Sequence, residues 1–313
     1  MAIRAGVSLP ALAPSAWGRQ SLARDQALFG YALLLPAALL MVILVGVPFV
    51  RALWLSFHKK LLGAEEAPWI GAQNYTTLLS DPIFWQAVTN TVIFTVASIA
   101  CKLVLGLTIA VVLNEALPLR NLWRSIVLLP YAMPTLVSVL VWKWMYNDVA
   151  GVLNYLANQA RLTDHPILWL GDPHIALPSV IAVNVWRGFP FFVITILAGL
   201  QTVPQELYDA AKVDGAGVWA RFQQVTLPGI LPVIAVVTLF STILTFNDFS
   251  IIWILTQGGP GNATQVLATL TYKISIPGLE LGKGVAVSVL MLPILVGLII
   301  LLNRFIARRE ELA

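Results

Sequence analysis

Charge is the first thing this sequence is short of. Asp, Glu, Lys and Arg make up 11% of its 313 residues, against roughly 25% in an ordinary soluble domain. With 58% hydrophobic residues and a mean hydropathy of +0.83, that scarcity excludes a soluble globular chain and leaves an integral membrane protein. The net charge of +4 does not call for nucleic acid, because the basic residues sit mainly at the ends of apolar runs. Cysteine is represented by Cys101 alone, inside an apolar run. No intrachain disulfide can form, and a small buried hydrophobe is the expectation. His58, His165 and His174 stand apart in polar stretches without ligand spacing, so no metal is expected. There is no Walker A sequence. The nearest approach, Gly278-x3-Gly282-Lys283, has the wrong spacing and is followed by no Ser or Thr. No Ser–His–acid set or inward carboxylate pair appears either. A nucleotidase, a metalloenzyme and a membrane hydrolase all fall away, and the chain is expected not to be an enzyme.

What is present is a series of long apolar runs. A bilayer core of about 30 Å needs about 20 apolar residues per helix, and six segments qualify, at roughly 29–57, 85–114, 122–146, 177–200, 231–256 and 284–306. The first is too long for a signal-peptide core and lacks a small-x-small exit, so it reads as an anchor that stays. Residues 1–28, with Arg4, Arg19, Arg24, Pro10 and Pro14, read as a polar arm, 29–306 as the transmembrane domain, and 307–313 as a tail. Arg4, Arg19, Arg24, Arg120, Arg124, Lys212, Arg221, Arg304, Arg308 and Arg309 fall on one side of the runs; Lys59, Lys60, Arg161, Lys273 and Lys283 fall on the other. That bias places both termini and the 205–228 loop in the cytoplasm. No convincing repeat relates the two halves, which argues against an inverted-repeat secondary transporter. The expected fold is all-α, with six transmembrane helices.

The stretch 205–232, QELYDAAKVDGAGVWARFQQVTLPGILP, interrupts the apolar pattern with Glu206, Asp209, Lys212, Asp214 and Arg221. Leu207, Ala210, Ala211 and Val213 fall near helical spacing, so 205–213 reads as a short amphipathic helix opened by Pro204. Gly215 and Gly217 then turn the chain. A second short helix, 218–225, is expected to stop at Leu227-Pro228. Such a helix–glycine–helix either lies on lipid or plugs into a groove on a partner.

The segment resembles the loop shared by the membrane subunits of bacterial ABC importers, E-A-A-x3-G-x9-I-x-L-P. Asp209-Ala210-Ala211 takes the first three places, Gly215 the glycine, and Val225, Leu227 and Pro228 the last, with the spacing intact. Asp for Glu keeps the charge, and Val for Ile keeps the branching. The resemblance covers about residues 30–306 and implies a type I ABC importer permease in the plasma (inner) membrane of a bacterium. It implies that this loop seats in a cleft of a cytoplasmic ATPase. Glu206, Asp209, Ala210, Ala211, Asp214, Gly215, Leu227 and Pro228 would then form the coupling surface. The implied partners are a second, unlike permease, two ATPase subunits that carry the ATP and Mg²⁺, and an extracytoplasmic sugar-binding protein, besides membrane lipid.

Charges inside apolar spans cost about 2.5–3.5 kcal/mol on insertion scales, so each needs a reason. Arg51 and Lys143 lie near helix ends and can snorkel. Lys102 sits mid-span, where it faces a cavity or pairs with a carbonyl or acid of another helix. In the fourth span Asn184, Arg187, Gly188 and Phe191 surround Pro190, offering an amide, a planar fork of donors, a point of close approach and an aromatic face. That set suits a polyhydroxylated sugar; it also suits plain helix–helix glue. In the fifth, Ser241, Thr245 and Asp248 fall four and three apart, on one face, with Asn247 beside them. Both stretches are similar to the N-x-W-x-G-aromatic-P-aromatic and F-N-x-F segments of maltose-type permeases. The outer segments GAQNYTTLLSDPIFWQAVTNT and LTQGGPGNAT are similar to that type as well. Carried over by position, Asn184, Arg187, Gly188, Phe191, Ser241, Thr245 and Asp248 become candidate sugar contacts. Arg187 and Asp248 stand where the maltose type is uncharged. An Arg187–Asp248 pair would neutralise both, whereas an unpaired Arg187 would point to an anionic substrate. The resemblance thus implies uptake of a mono- or oligosaccharide by alternating access, with glycerol phosphate or an alditol, or an ion-coupled secondary transporter, as competing readings.

Overall fold

A helix begins where a side chain can take up its first free N–H groups, and here an Asp-Pro pair does this twice. Asp81 Oδ1 accepts from Ile83 N–H at 2.9 Å with Pro82 at the first helical position; Asp172 Oδ1 accepts from His174 N–H at 2.7 Å ahead of Pro173. The helices so opened, Pro82–Asn114 and Pro173–Leu200, run for 33 and 28 residues. The computed structural model describes residues 16–115, 118–163 and 165–310, and among these the regular structure is helical. The chain divides into two units, Met1–Trp54 and Leu55–Ala313.

In the first unit, α1 (Ala16–Met41) passes through a π turn at Val42–Gly46 into α2 (Val47–Leu55). Within it, Ala27–Leu55 is long and apolar enough to cross a membrane. The helix starts inside the stretch 1–28 set apart as an arm, and residues 1–15 lie outside the described residues. The π turn has a cause in the sequence. Pro48 follows it by two residues, and a proline ring clashes with the carbonyl four residues earlier, so a widened turn closed by Val47 N–H to Val42 O relieves the contact.

The second unit runs through α3 (Gln73–Leu79), α4 (Pro82–Asn114), α5 (Arg120–Ala132), α6 (Thr135–Met145), α7 (Val152–Gln159) and α8 (Pro173–Leu200). It continues through α9 (Gln205–Val213), α10 (Val218–Arg221), α11 (Leu227–Phe246), α12 (Ser250–Leu255), α13 (Leu267–Ser275) and α14 (Leu281–Glu310). Three expected spans, at α4, α8 and α14, appear as single helices. The third, 122–146, does not. It is broken between α5 and α6 by a bend of 90°, because Pro130 and Pro134 remove two backbone donors four residues apart. Tyr131 meets Phe191 of α8, Trp142 meets Trp186, and Tyr146 donates to Ser179 O, so the bent pair runs antiparallel along α8 as one broken span.

The fifth span also departs from expectation. It begins at Val218, not at 231, and ends at Phe246, with α12 a separate short helix. The helix expected to stop at Leu227-Pro228 continues through a second π turn, Phe222–Thr226, closed by Leu227 N–H to Phe222 O. Pro228 again follows by two residues, so the device of Pro48 is repeated.

At the centre, α4 and α8 pack closely through reciprocal glycines. A Cβ at Gly106 would collide with the Phe192 side chain, and a Cβ at Gly188 would come within 2.5 Å of Lys102 Cε. The contacts are four residues apart on both helices, so the two run parallel in register. Ile99, Ala110, Phe192, Ile196, Ile230 and Ile234 form the core where α11 joins them. Cys101, expected to be buried, faces outward from α4. A membrane helix is apolar on lipid and protein sides alike, so composition does not tell them apart.

Candidate functional site

Mid-bundle, α4, the α5–α6 break, α8, α11 and the α11–α12 junction surround a cavity of about 540 Å³, within the range of sites for small organic ligands. Asn184, Arg187, Gly188, Phe191, Ser241, Thr245 and Asp248 all line it. The four from α8 recur at intervals of three and four and so share one face. Ser241 and Thr245 share a face of α11, and Asp248 follows just past its end, tied back by its N–H to Thr245 O at 3.1 Å.

Three lining residues are charged, Lys102, Arg187 and Asp248. Asp248 Oδ2 accepts from Asn184 Nδ2 at 3.0 Å, and Oδ1 accepts from Ile251 N–H at 3.2 Å. Lys102, 4% exposed, donates from Nζ to Thr245 Oγ1 at 3.0 Å. It can lie there because Gly188 leaves no Cβ in its path. The Arg187–Asp248 pair does not form: among the described residues the ion pairs within 4 Å are Lys212–Asp209 and Lys283–Glu280. Arg187 Nε and Asn184 Oδ1 are buried without a hydrogen-bond partner. Tyr131 stacks on Phe191 at 6.2 Å between ring centres, 17° from parallel, which gives the wall an aromatic face. Lys143 reaches Ile254 O at 2.7 Å and so ties α6 to α12.

Lys102 was left undecided by the sequence, and Tyr131 and Thr135 were missed. The signal for Lys102 was its lone charge mid-span. For the other two it was Pro130 and Pro134, which mark a break whose flanking residues turn inward.

The 205–228 loop is built as two surfaces. On the inner one, Tyr208 Oη and Thr226 Oγ1 lie 3.1 Å apart, and Val203 and Leu227 pack on the core. Pro204 precedes α9 at the capping position and does not enter its first turn. The helix ends in a Schellman turn, with Gly215 N–H to Lys212 O at 3.0 Å and Ala216 N–H to Ala211 O at 2.9 Å. Gly215 sits at φ +77°, where only glycine is unstrained. On the outer surface Glu206, Asp209, Ala210, Asp214 and Gly215 are exposed, while Ala211, Leu227 and Pro228 are half-buried. Leu207, Val213, Val218 and Trp219 are exposed apolar residues on the same loop. The Lys212 ammonium, 2.8 Å from Asp209 Oδ1, holds that carboxyl below the usual carboxylate range.

The profile of the family described as "binding-protein-dependent transport system inner membrane component" matches residues 102–311, a stretch that includes the cavity helices and this loop. The chain belongs to that family. Among the relatives of this permease is the trehalose/maltose transport system permease protein MalF of Thermococcus litoralis, 37% identical over 265 residues, which span 85% of this chain and 89% of that protein. The sulfoquinovosyl glycerol transport system permease protein SmoG of Agrobacterium fabrum is 37% identical over 262 residues, 83% of this chain and 84% of that protein. In three dimensions the permease superposes on a chain of a bacterial ABC transporter involved in import of the acidic polysaccharide alginate. The TM-score is 0.77 at 24% identity, over 92% of this chain and 98% of that one, a likeness of fold. The type I importer architecture expected of the permease is therefore present.

Proposed function

We propose that this chain is the transmembrane subunit of an ATP-driven importer that takes up a mono- or oligosaccharide by alternating access. The observation that supports this most is the convergence of seven residues from two separate stretches of sequence on one cavity, in a chain whose relatives are named for trehalose/maltose and for sulfoquinovosyl glycerol. A pyranose offers hydroxyls to Asn184, Ser241 and Thr245 and a C–H face to the Tyr131–Phe191 rings.

The chain pairs with a second, unlike permease, and both termini and the 205–228 loop face the cytoplasm, as the Lys/Arg bias suggests. Two ATPase subunits, which bind ATP and Mg²⁺, dock on the exposed Glu206, Asp209, Ala210, Asp214 and Gly215, with the half-buried Ala211, Leu227 and Pro228 beneath them, and a binding protein delivers sugar to the opposite side. Closure of the ATPase pair displaces the loop. Tyr208 and Thr226 tie the loop to the helix that carries Ser241 and Thr245, so the displacement reaches the cavity wall.

The test is uptake of labelled sugar into proteoliposomes holding the complete importer. Uptake requires ATP, and Asn184→Ala and Asp248→Ala change the KM for sugar without changing the amount of assembled complex. Transport by this chain alone on an ion gradient would refute the ATP-driven reading. Unaltered kinetics in both variants would move the sugar site elsewhere.

A further inference from the structure

The cavity's charges do not balance. Of the three charged side chains that line it, the single carboxylate is the one whose partners are accounted for: Asp248 receives Asn184 Nδ2 and Ile251 N–H. Lys102 Nζ donates to a neutral hydroxyl, Thr245 Oγ1, and Asp248 is within electrostatic reach of both Lys102 and Arg187, so one carboxylate faces two cations. Arg187 has no carboxylate within 4 Å among the described residues, and its Nε is buried without an acceptor. A guanidinium cannot lose its proton to relieve this, and its five donors match a planar or tetrahedral anion. Lys102 lies against Gly188, next in sequence to Arg187, so the two cations stand on adjoining parts of one wall. Buried charge in a membrane protein is costly unless something pairs with it.

We propose that the cavity takes a sugar bearing one acidic group, a carboxylate, sulfonate or phosphate, with Arg187 holding the acid and Lys102 adding its field. This rests on the reading of the cavity as a sugar site and specifies what that site selects. Asn184 Oδ1, 95% buried with its residue and unpartnered, accepts from a ring hydroxyl, and the Tyr131–Phe191 pair stacks on the ring. Asp248, held by Asn184 and Ile251, stays clear of the acid.

The experiment measures binding to the importer purified through a tag on this chain and held in nanodiscs, without its binding protein. The probes are glucose, maltose, glucuronate, sulfoquinovose and glucose 6-phosphate. At least one acidic probe binds roughly 10-fold or more tighter than glucose, and that preference shrinks as salt rises. Arg187→Gln weakens the acidic probe by roughly 10- to 100-fold, a loss several-fold larger than any it causes for the neutral sugars. Lys102→Met gives a smaller loss in the same direction and serves if Arg187→Gln fails to assemble. If glucose or maltose binds as tightly as every acid, and both variants leave the order unchanged, selection for an anion is refuted while the sugar site stands. If no sugar of either kind binds, the sugar reading falls and this inference with it.

Discussion

Adding one methyl group at two glycines, four residues apart along the same contact, should give opposite results. At Gly106 the new Cβ would collide with Phe192 Cβ and lie 3.3 and 3.4 Å from the Phe192 backbone carbonyl carbon and Cα. None of these atoms can swing aside, so α4 and α8 must separate, and overpacking of this kind costs typically about 1–3 kcal/mol. The better helix propensity of alanine returns about 0.5–1 kcal/mol, which leaves a net loss. At Gly188 the new Cβ meets Lys102 at Cε (2.5 Å), Nζ (2.9 Å) and Cδ (3.1 Å), the far end of a flexible side chain. Lys102 gives way and loses its 3.0 Å hydrogen bond to Thr245. A hydrogen bond from a charged donor contributes about 1.5–3 kcal/mol, but the displaced ammonium can find a new acceptor in the cavity, so the effect on stability stays below the lower figure. Gly106→Ala therefore lowers the thermal midpoint of the purified protein and the yield of assembled complex. Gly188→Ala holds both near wild type and changes the KM for substrate. Differential scanning fluorimetry alongside uptake separates the two. A Gly106→Ala protein as stable as wild type beside a collapsed Gly188→Ala would refute the parallel register of α4 and α8.

Other consequences concern the loop. At Gly215 an added Cβ meets no atom within 4 Å and points into open space, so a Gly215→Trp chain inserts and folds at the αL penalty of about 1–2 kcal/mol, yet ATP-dependent uptake is lost; normal uptake would remove the coupling role. Tyr208→Phe deletes the link to Thr226, at about 0.5–1.5 kcal/mol, and is expected to raise ATP hydrolysed per sugar transported; an unchanged ratio would show that the link carries no force. Asp209 has a folded pKa depressed by Lys212, so its contribution is present above the ordinary carboxylate range and is lost as pH falls through the depressed value. Lys212→Ala moves the Asp209 titration back up, which carboxyl ¹³C NMR on labelled protein reads directly; a titration that stays put would mean the lysine is not the cause.

The cavity residues were legible because the spacings that place Asn184, Arg187, Gly188 and Phe191 on one helix face are properties of the α-helix itself, and a polar group mid-span has few reasons to be there. Gly215 was legible for a similar reason, since it is a turn that side chains resist. The break at Pro130 and Pro134 was overlooked because hydropathy runs through it undisturbed, though two prolines four apart remove donors on the same side. The starts of α4 and α8 were set three or four residues late because Asp81-Pro82 and Asp172-Pro173 are polar and fall outside an apolar count, yet they are the caps. Continuation of α10 into α11 was hidden by Pro228, which reads as a stop unless the turn before it can widen. The fate of Arg187 depended on which side chain reached Asp248 first, and Asn184, one turn away on the same helix, did. That is a matter of distances no sequence spacing reveals.

The elbow between α5 and α6 has a consequence for how the chamber responds to motion. Tyr131 stands on one arm and Thr135 on the other, and both belong to the same wall. Opening or closing the 90° angle therefore moves Tyr131 relative to Thr135 and changes the chamber's width. The ligand's room becomes a gauge of the joint, and a ligand that fills that room acts as a wedge against further closing.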